Sequence, residues 1–371
     1  MMQNTGDSCR KNLKYQELYG ALCGQIPDLL KKGTAFFTQT QIQERYGVSR
    51  QTVLRALRQM EADGLIVSRR GSGTTLTGLL PEAEKNQVVL LLSSDSSYTY
   101  PSLISDVSSV LRAARYSISV CVSHGSLREE REILTRLCAD PPRGLLLECC
   151  HSALPTPNAD LIGALSARKT AVAVIGGVCP NLAGLVSVRE DDRSAGQALC
   201  RHFLRCGHRQ LGGIFLSDTS RGQERYFGFV CALKEAGYLP LPEDILWLTG
   251  DIFTDIEEKE PRHLLAVLQH FLMRRAHSLT GILCQNDLIA WYLGRACRAA
   301  GIRVPEDLSI GGFDGSYLSQ AGGVSLVSMA HEKHEPGQSA ARTLIRAMSG
   351  QYSPPDSVPW ILRPGKSIRA I

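Results

Sequence analysis

No stretch of this chain approaches the roughly 18 to 20 consecutive uncharged apolar residues that a membrane-spanning helix needs. Its first residues, MMQNTGDSCRKN, lack the apolar core of a secretory signal, so a cytoplasmic protein is expected. Beyond residue 86 there is no G-x-G-x-x-G, G-x-x-x-x-G-K-[ST] or G-x-S-x-G, which removes the simplest support for nucleotide and hydrolase chemistry. No nucleophile-base pair stands out either, and no enzymatic activity is expected. The 12 cysteines are scattered, and a chain of 371 residues needs no disulfide staples, so they read as reduced core residues. Cys149 and Cys150 beside His151, and His331 with His334, lack a second set of ligands at metal-binding spacing. No metal and no cofactor are expected. What is present, 43% hydrophobic and 21% charged residues, is ordinary for a folded chain and excludes disorder. The length allows two or three domains.

Charge is unevenly spread. Of 41 Lys and Arg and 36 Asp and Glu, residues 1–78 hold 11 and 6, which leaves 30 of each for residues 79–371. The whole basic excess therefore sits in the first fifth of the chain. Such asymmetry directs the small segment at a polyanion and the neutral remainder at something else.

In the basic segment, apolar residues recur at helical spacing from Tyr15 to Leu30, with Pro27 expected to bend the helix. Thr38 with Gln41 three residues on forms the pattern of a capping box for a second helix. Gly47 supplies a turn. A third helix is expected from Ser49 to about Asp63, with Val53, Leu54, Leu57 and Met60 inward and Arg50, Gln51, Arg55, Arg58 and Gln59 outward. The run LIVSRRGSGTTLT then reads as a β-hairpin with a glycine-rich tip. Helix, turn, helix and basic hairpin in that order predict a winged helix-turn-helix over 1–78. Its arginines suit guanine edges or phosphates in a major groove, and its glycine tip can approach the DNA backbone without side-chain clash.

The stretch QIQERYGVSRQTVLRALRQMEADGLIVSRRGSGTTLTG resembles the GntR-type winged helix, with its YGVSR turn and GxGT wing. The resemblance implies DNA contacts at Ser49, Arg50, Thr52, Arg55 and Arg70, and a wing tip at Gly71, Ser72 and Gly73. Two departures stand out. Phe37, Thr38, Gln39 and Thr40 replace the usual Pro-Ser-Glu-x, and the arginine of the usual Thr-Val-Arg triplet falls on Leu54, with Arg55 next along.

A charged, proline-containing linker is expected at 79–86, and beyond it the pattern changes. Short apolar runs, among them QVVLLLS, RGLLLE, TAVAVIG, LGGIFLS, LTGILC and LSIGGF, alternate with helical stretches. Repeated βα units mean an α/β architecture of parallel sheets covered on both faces, and residues 87–371 are long enough for two lobes with a cleft. Ligands of such sheets bind outside the carboxyl ends of the strands. Arg225 after LGGIFLSD, Asn286 and Asp287 after LTGILCQ, and Asp314 after LSIGGF lie at such ends. A guanidinium, an amide and a carboxylate together satisfy neighbouring sugar hydroxyls, which both donate and accept.

GHRQLGG, the spacing from Arg225 to Gly228 in ERYFGF, LTGILCQNDLIA, AGIRVPEDLSIGGFD and ILRPGKSIR are similar to the effector-binding domain of LacI/GalR-type repressors. This resemblance covers nearly all of 87–371. It implies a two-lobed, periplasmic-binding-protein-like fold whose cleft closes on a small molecule, usually a sugar. One lobe would hold about 87–187 and 331–350, the other about 188–330 and 351–371. Arg225, Asn286 and Asp314 match effector contacts, His331 enters the cleft from the returning strand, and Asp287 holds its loop. A GntR-type head on a LacI-type body resembles the bacterial arabinose-responsive repressors, and SSYTYPSLISDV and MAHEKHEPGQSA are similar to their segments. That adds Tyr98 and Tyr100 as effector contacts. Gly315 stands in place of the usual second acidic residue after FD, and Gly176 at a position after VAVI that can carry a carboxylate.

These features predict a DNA-binding transcriptional repressor that acts at the nucleoid. Its homodimer would hold double-stranded operator DNA and release it when a monosaccharide, L-arabinose or another pentose first, closes the lobes. Arg225→Ala is then expected to remove the ligand response with operator binding intact. The alternative is a soluble sugar-binding or corepressor-type sensor with weak or altered operator reading.

Overall fold

A computed structural model of the chain describes residues 18–26, 29–30, 36–69, 73–77, 86–95, 98–253, 261–351 and 356–371. The chain divides into two units, Met1–Gln87 and Val88–Ile371. The expected bend at Pro27, the tip residues Arg70, Gly71 and Ser72, and all of the 79–86 linker except Asn86 lie outside the described residues.

In the first unit residues 18–23 are helical. They are followed by α1 (Gln39–Tyr46), α2 (Arg50–Ala62), β1 (Ile66–Arg69) and β2 (Gly73–Leu76). At the start of α1 the Thr38 hydroxyl accepts from the Gln41 amide, and the Gln41 side chain accepts from the Thr38 amide at 2.9 Å, which is the reciprocal capping box the sequence predicts. Gly47 ends α1 in the left-handed region at φ 61°. Ser49 caps α2 by accepting from the Thr52 amide at 3.2 Å. Val53, Ala56, Leu57 and Met60 then pack with Leu18, Leu22, Ile26, Ile42 and Leu65 in one core. Leu54, expected inward, is half-buried and outside that core, and Ala56 takes the inward place. The reason is angular: at about 100° per residue, Leu54 falls between Arg50 and Arg58 on the helix surface rather than among the four core positions. β1 and β2 pair antiparallel, with Ile66 opposite Leu76 and Arg69 opposite Gly73.

The second unit holds two six-stranded sheets. The first contains β3 (Gln87–Leu92), β4 (Ser117–Val122), β5 (Gly144–Glu148), β6 (Ala171–Ile175), β7 (Val186–Glu190) and β13 (Asp356–Val358), in the order β13-β7-β6-β5-β3-β4. The other contains β8 (Leu211–Leu216), β9 (Ile245–Leu248), β10 (Gly281–Cys284), β11 (Ser309–Phe313), β12 (Val327–Ala330) and β14 (Ile361–Arg363), in the order β14-β12-β11-β10-β8-β9. The pairings from β8 to β12 are parallel, and β14 closes the edge antiparallel to β12. Helices on both faces bury such strands along their length, and β8, β10 and β11 are buried throughout. Each face of each sheet carries its own apolar cluster, so that in β3 Val88 and Leu90 enter one cluster while Val89 and Leu91 enter another.

Two expected lobe boundaries move. All of β7 to Glu190 belongs to the first sheet, and so does β13, which pairs parallel with β7 from Asp356 opposite Val188 to Val358 opposite Glu190. Only from β14 onward does the C-terminal stretch join the second sheet. One feature of the packing bears directly on the cleft. The helices Asp192–Arg205 and Ser220–Glu235 approach backbone to backbone, because a Cβ at Gly228 would run into the Arg193 carbonyl and one at Gly196 into the Arg225 carbonyl. That contact leaves Arg225 only 1% exposed.

Candidate functional site

The first unit presents a basic face. Ser49, Arg50, Arg55 and Arg58 are exposed along α2. The Ser49 and Thr52 hydroxyls lie 2.8 Å apart and order the first turn of the helix. Arg50 and Arg58 have no ion-pair partner among the described residues, so their charge is open to an incoming phosphate or base edge. Gly73 begins the second strand of the hairpin, while Arg70, Gly71 and Ser72 fall outside the described residues.

In the second unit a cavity of about 210 Å³ gathers residues that follow the strands of both sheets. Ser93 follows β3, Glu148 ends β5, Gly176 follows β6, Asp218 follows β8, Gln285 and Asn286 follow β10, and Asp314 follows β11. These are the carboxyl ends, where open parallel sheets bind ligands. Tyr98, Tyr100, Leu216, Phe253 and Leu288 line the same space and supply apolar surface. Three of the six described non-glycine residues at positive φ, His124, His151 and Asp314, line it as well, and backbone held in this sparsely populated region clusters at functional sites.

Direct contacts cross the cavity from one sheet's loops to the other's. Tyr98 Oη donates to Asp314 Oδ2 at 2.8 Å. His151 Nδ1 donates to Asp218 Oδ2 at 2.8 Å, and the Ser152 and Ser220 hydroxyls meet at 3.2 Å. Glu148 Oε2 accepts from both the Ser93 amide at 3.0 Å and the Ser93 hydroxyl at 2.6 Å. Its other oxygen, Oε1, stands 3.0 Å from where a Gly176 Cβ would be, so the Glu148 carboxylate fills the space that a side chain at Gly176 would take.

Charges here are arranged in layers. Arg221 donates to Glu190 at 2.9 Å, and Arg225 Nε to Asp192 at 2.7 Å, with Arg225 Nη1 on the Gln285 carbonyl. Arg225 Nη2 has no hydrogen-bond partner and lies 3.6 Å from Asp314 Oδ1. Burial pushes the Asp192 carboxyl up to about 6 against the pull of Arg225. Burial would also raise Glu190, yet Arg221, His331 and Arg225 together outweigh it and draw that carboxyl down to about 2. Burial holds the Tyr98 and Tyr100 phenols well above their ordinary range, so both remain protonated donors at neutral pH.

Of the residues implied as effector contacts, Tyr98, Tyr100, Arg225, Asn286 and Asp314 line the cavity. His331 does not. Its Nδ1 donates to the Pro359 carbonyl at 2.8 Å and its ring stacks on Trp360 at 3.7 Å, which turns it behind the cavity wall and toward Glu190. Asn286 also caps its helix, accepting from the Ile289 amide at 3.0 Å. Asp287 holds its loop: it accepts from the Ser316 amide and hydroxyl and from the Ser328 hydroxyl, while burial and Asp314 push its carboxyl up to about 7. Cys150 is pushed up to about 12 by burial and stays a thiol. Among the described residues no group of three or more His, Cys, Asp or Glu is placed to hold a metal.

Comparison with known proteins assigns both parts. Residues 14–76 match the model of bacterial regulatory proteins of the gntR family, and residues 200–368 match that of the periplasmic binding protein-like domain. The chain joins a GntR-family helix-turn-helix domain to a periplasmic-binding-protein-like domain. Two relatives are named arabinose metabolism transcriptional repressor. That of Halalkalibacterium halodurans is 29% identical over 83% of this chain and 82% of its own, and that of Geobacillus stearothermophilus is 28% identical over 90% and 89%. Both are named as regulators, not enzymes. The body also shares its fold with the transcription regulator GntR from Chromobacterium violaceum, with a TM-score of 0.65 and 22% identity over 76% of this chain and 99% of that one. Among the described residues no helix is long and apolar enough to cross a membrane.

Within this periplasmic-binding-protein-like body, sequence reasoning overlooked Glu148, Asp218, Arg221 and Ser93, and weighed His151 only as a metal ligand. The signal for the first two was present, since RGLLLE ends in Glu148 and LGGIFLSD in Asp218, the same strand-end position that singled out Asp314. Arg221 and His151 carried no such mark, because each is defined by a partner on another loop, Glu190 and Asp218 respectively.

Proposed function

We propose that this chain is a transcriptional repressor that holds operator DNA through its GntR-type head and releases it when an uncharged sugar enters the cleft of its body. The observation that carries this function is the convergence, on one cavity of about 210 Å³, of Glu148, Asp218, Arg225, Asn286 and Asp314 with the rings of Tyr98 and Tyr100. Carboxylates, an amide and a guanidinium satisfy adjacent hydroxyls that each donate and accept, and the rings cover the C–H face of a sugar. Charge narrows the ligand further. Arg221 and Arg225 are already matched by Glu190 and Asp192, while Glu148, Asp218 and Asp314 add negative charge to the wall. A phosphate or carboxylate ligand would meet that excess unpaired, so a free sugar is favoured over a sugar phosphate. The names of the two relatives make L-arabinose, or a close pentose, the first ligand to test.

Two bodies in a homodimer would set two heads on the half-sites of a palindrome, and a sugar bridging the loops of both sheets would alter the spacing or freedom of those heads. Such coupling works only if the sugar prefers one arrangement of the lobes over the one that binds DNA. The test is a thermal-melt screen of the full chain against free pentoses, hexoses and their phosphates. A ligand at about 100 times its Kd adds roughly 2.7 kcal/mol to the native state. L-arabinose is expected to raise the melting temperature, its phosphate is not, and Tyr98→Phe and Glu148→Gln shrink the shift. A larger shift with the phosphate, or no loss in either variant, rejects this ligand assignment.

A further inference from the structure

We propose that Leu54 reads a thymine methyl group in the operator, an inference that rests on the DNA-binding function above. Leu54 lies in α2, whose inward stripe of Val53, Ala56, Leu57 and Met60 already completes the core of the first unit. Leu54 is half-buried, and it is absent both from that core and from the partly buried side chains packed against it. It occupies the middle of the i, i+4, i+8 row Arg50, Leu54, Arg58, whose two arginines are exposed and without an ion-pair partner among the described residues. An apolar side chain in the middle of a basic row adds nothing to phosphate binding, and its uncovered part is placed to meet an apolar feature of the DNA that the flanking arginines approach.

A leucine neither donates nor accepts a hydrogen bond, and so cannot read the polar edges of guanine, cytosine or adenine. The one apolar feature in the major groove is the C5-methyl of thymine. An arginine at this position would suit a guanine edge, so leucine and arginine here favour different bases. Leu54 sits about 6 Å along the helix from Arg50, which places the thymine within about two base pairs of the contact made by Arg50.

The experiment begins with selection of duplexes from a random library by the sugar-free 371-residue chain. Each thymine of the selected site is then replaced singly by deoxyuridine, which removes the methyl and nothing else, and affinity is read by fluorescence anisotropy. At one thymine per half-site the wild-type chain is expected to lose about three- to fivefold in affinity, the worth of burying one methyl-sized group. Leu54→Ala binds the thymine and deoxyuridine duplexes alike, and Leu54→Arg selects guanine at that base pair. If the wild-type chain enriches a sequence but is indifferent to every methyl, or if Leu54→Arg selects the same base, this assignment is overturned while operator binding stands. If no sequence is enriched, operator reading itself fails and the assignment fails with it. The deoxyuridine series uses the wild-type protein alone, so it holds even where a variant does not fold.

Discussion

In the first unit the residues proposed to meet DNA come from a single 13-residue helix with its cap and from the hairpin that follows it. In the second, the cavity draws on the ends of eight strands between Ser93 and Asp314, and its bond from Tyr98 to Asp314 joins residues 216 apart in sequence. The head offers its charges to solvent, with Arg50 and Arg58 unpaired among the described residues. The body spends its charges on itself before any ligand arrives, Arg225 on Asp192 and Arg221 on Glu190. The contrast fits the targets proposed for the two units. A polyanion is met on a surface by side chains that keep their hydration until contact, whereas a neutral sugar, the ligand proposed for the body, must be enclosed by groups whose geometry is fixed beforehand.

The largest effect expected from this contrast concerns Arg225. Because it is 1% exposed and bonded to a buried Asp192, Arg225→Ala leaves a carboxylate buried without its partner. A loss of about 3 to 5 kcal/mol in denaturant unfolding is expected. The sequence alone predicted a variant that merely loses its ligand response. Unfolding at the wild-type denaturant concentration would restore that simpler role and weaken the contrast between the two units.

A smaller effect is expected in the head. Arg50→Ala should weaken binding to the selected operator by about 1 to 3 kcal/mol while the sugar-induced melting shift is unchanged. A loss of both together would mean that the two units do not divide the work. Glu190 gives the sharpest sign. Its carboxyl is drawn from 4.5 to about 2 in the folded chain, so its contribution to stability is fully present above about pH 4.5 and is lost as pH falls toward 2. Glu190→Gln should therefore melt below the wild type at neutral pH, and the gap should close as the medium is acidified through that window. A gap that widens on acidification would contradict the pairing with Arg221.

Much of the head was legible in the sequence because its decisions are local. The Thr38–Gln41 capping box, the Gly47 stop and the Ser49 start of α2 each depend on residues within four positions. Leu54 was misread because helical periodicity gives the width of an apolar stripe only loosely, and its edge is settled by where Leu18, Leu22 and Ile42 pack. In the body, alternating strands and helices revealed the α/β class and put Arg225, Asn286 and Asp314 on the cavity. The same pattern could not tell that β13 and β14, separated by Pro359 and Trp360, belong to different sheets. Nor could it show that His331, turned by Pro359 and Trp360, stands behind the wall.

The sequence by itself determined which segments become helices and strands, where the basic excess lies and which polar residues stand at strand ends, because periodicity, caps and turn residues act over a few positions. Only the tertiary structure decided which charges face the ligand and which are consumed within the protein. The strength and pKa of a charged group depend on its burial and on the partners brought beside it from distant parts of the chain. That is why Glu148 and Asp218 emerge at the cavity, Arg225 is largely committed to the core, and Leu54 is left facing outward.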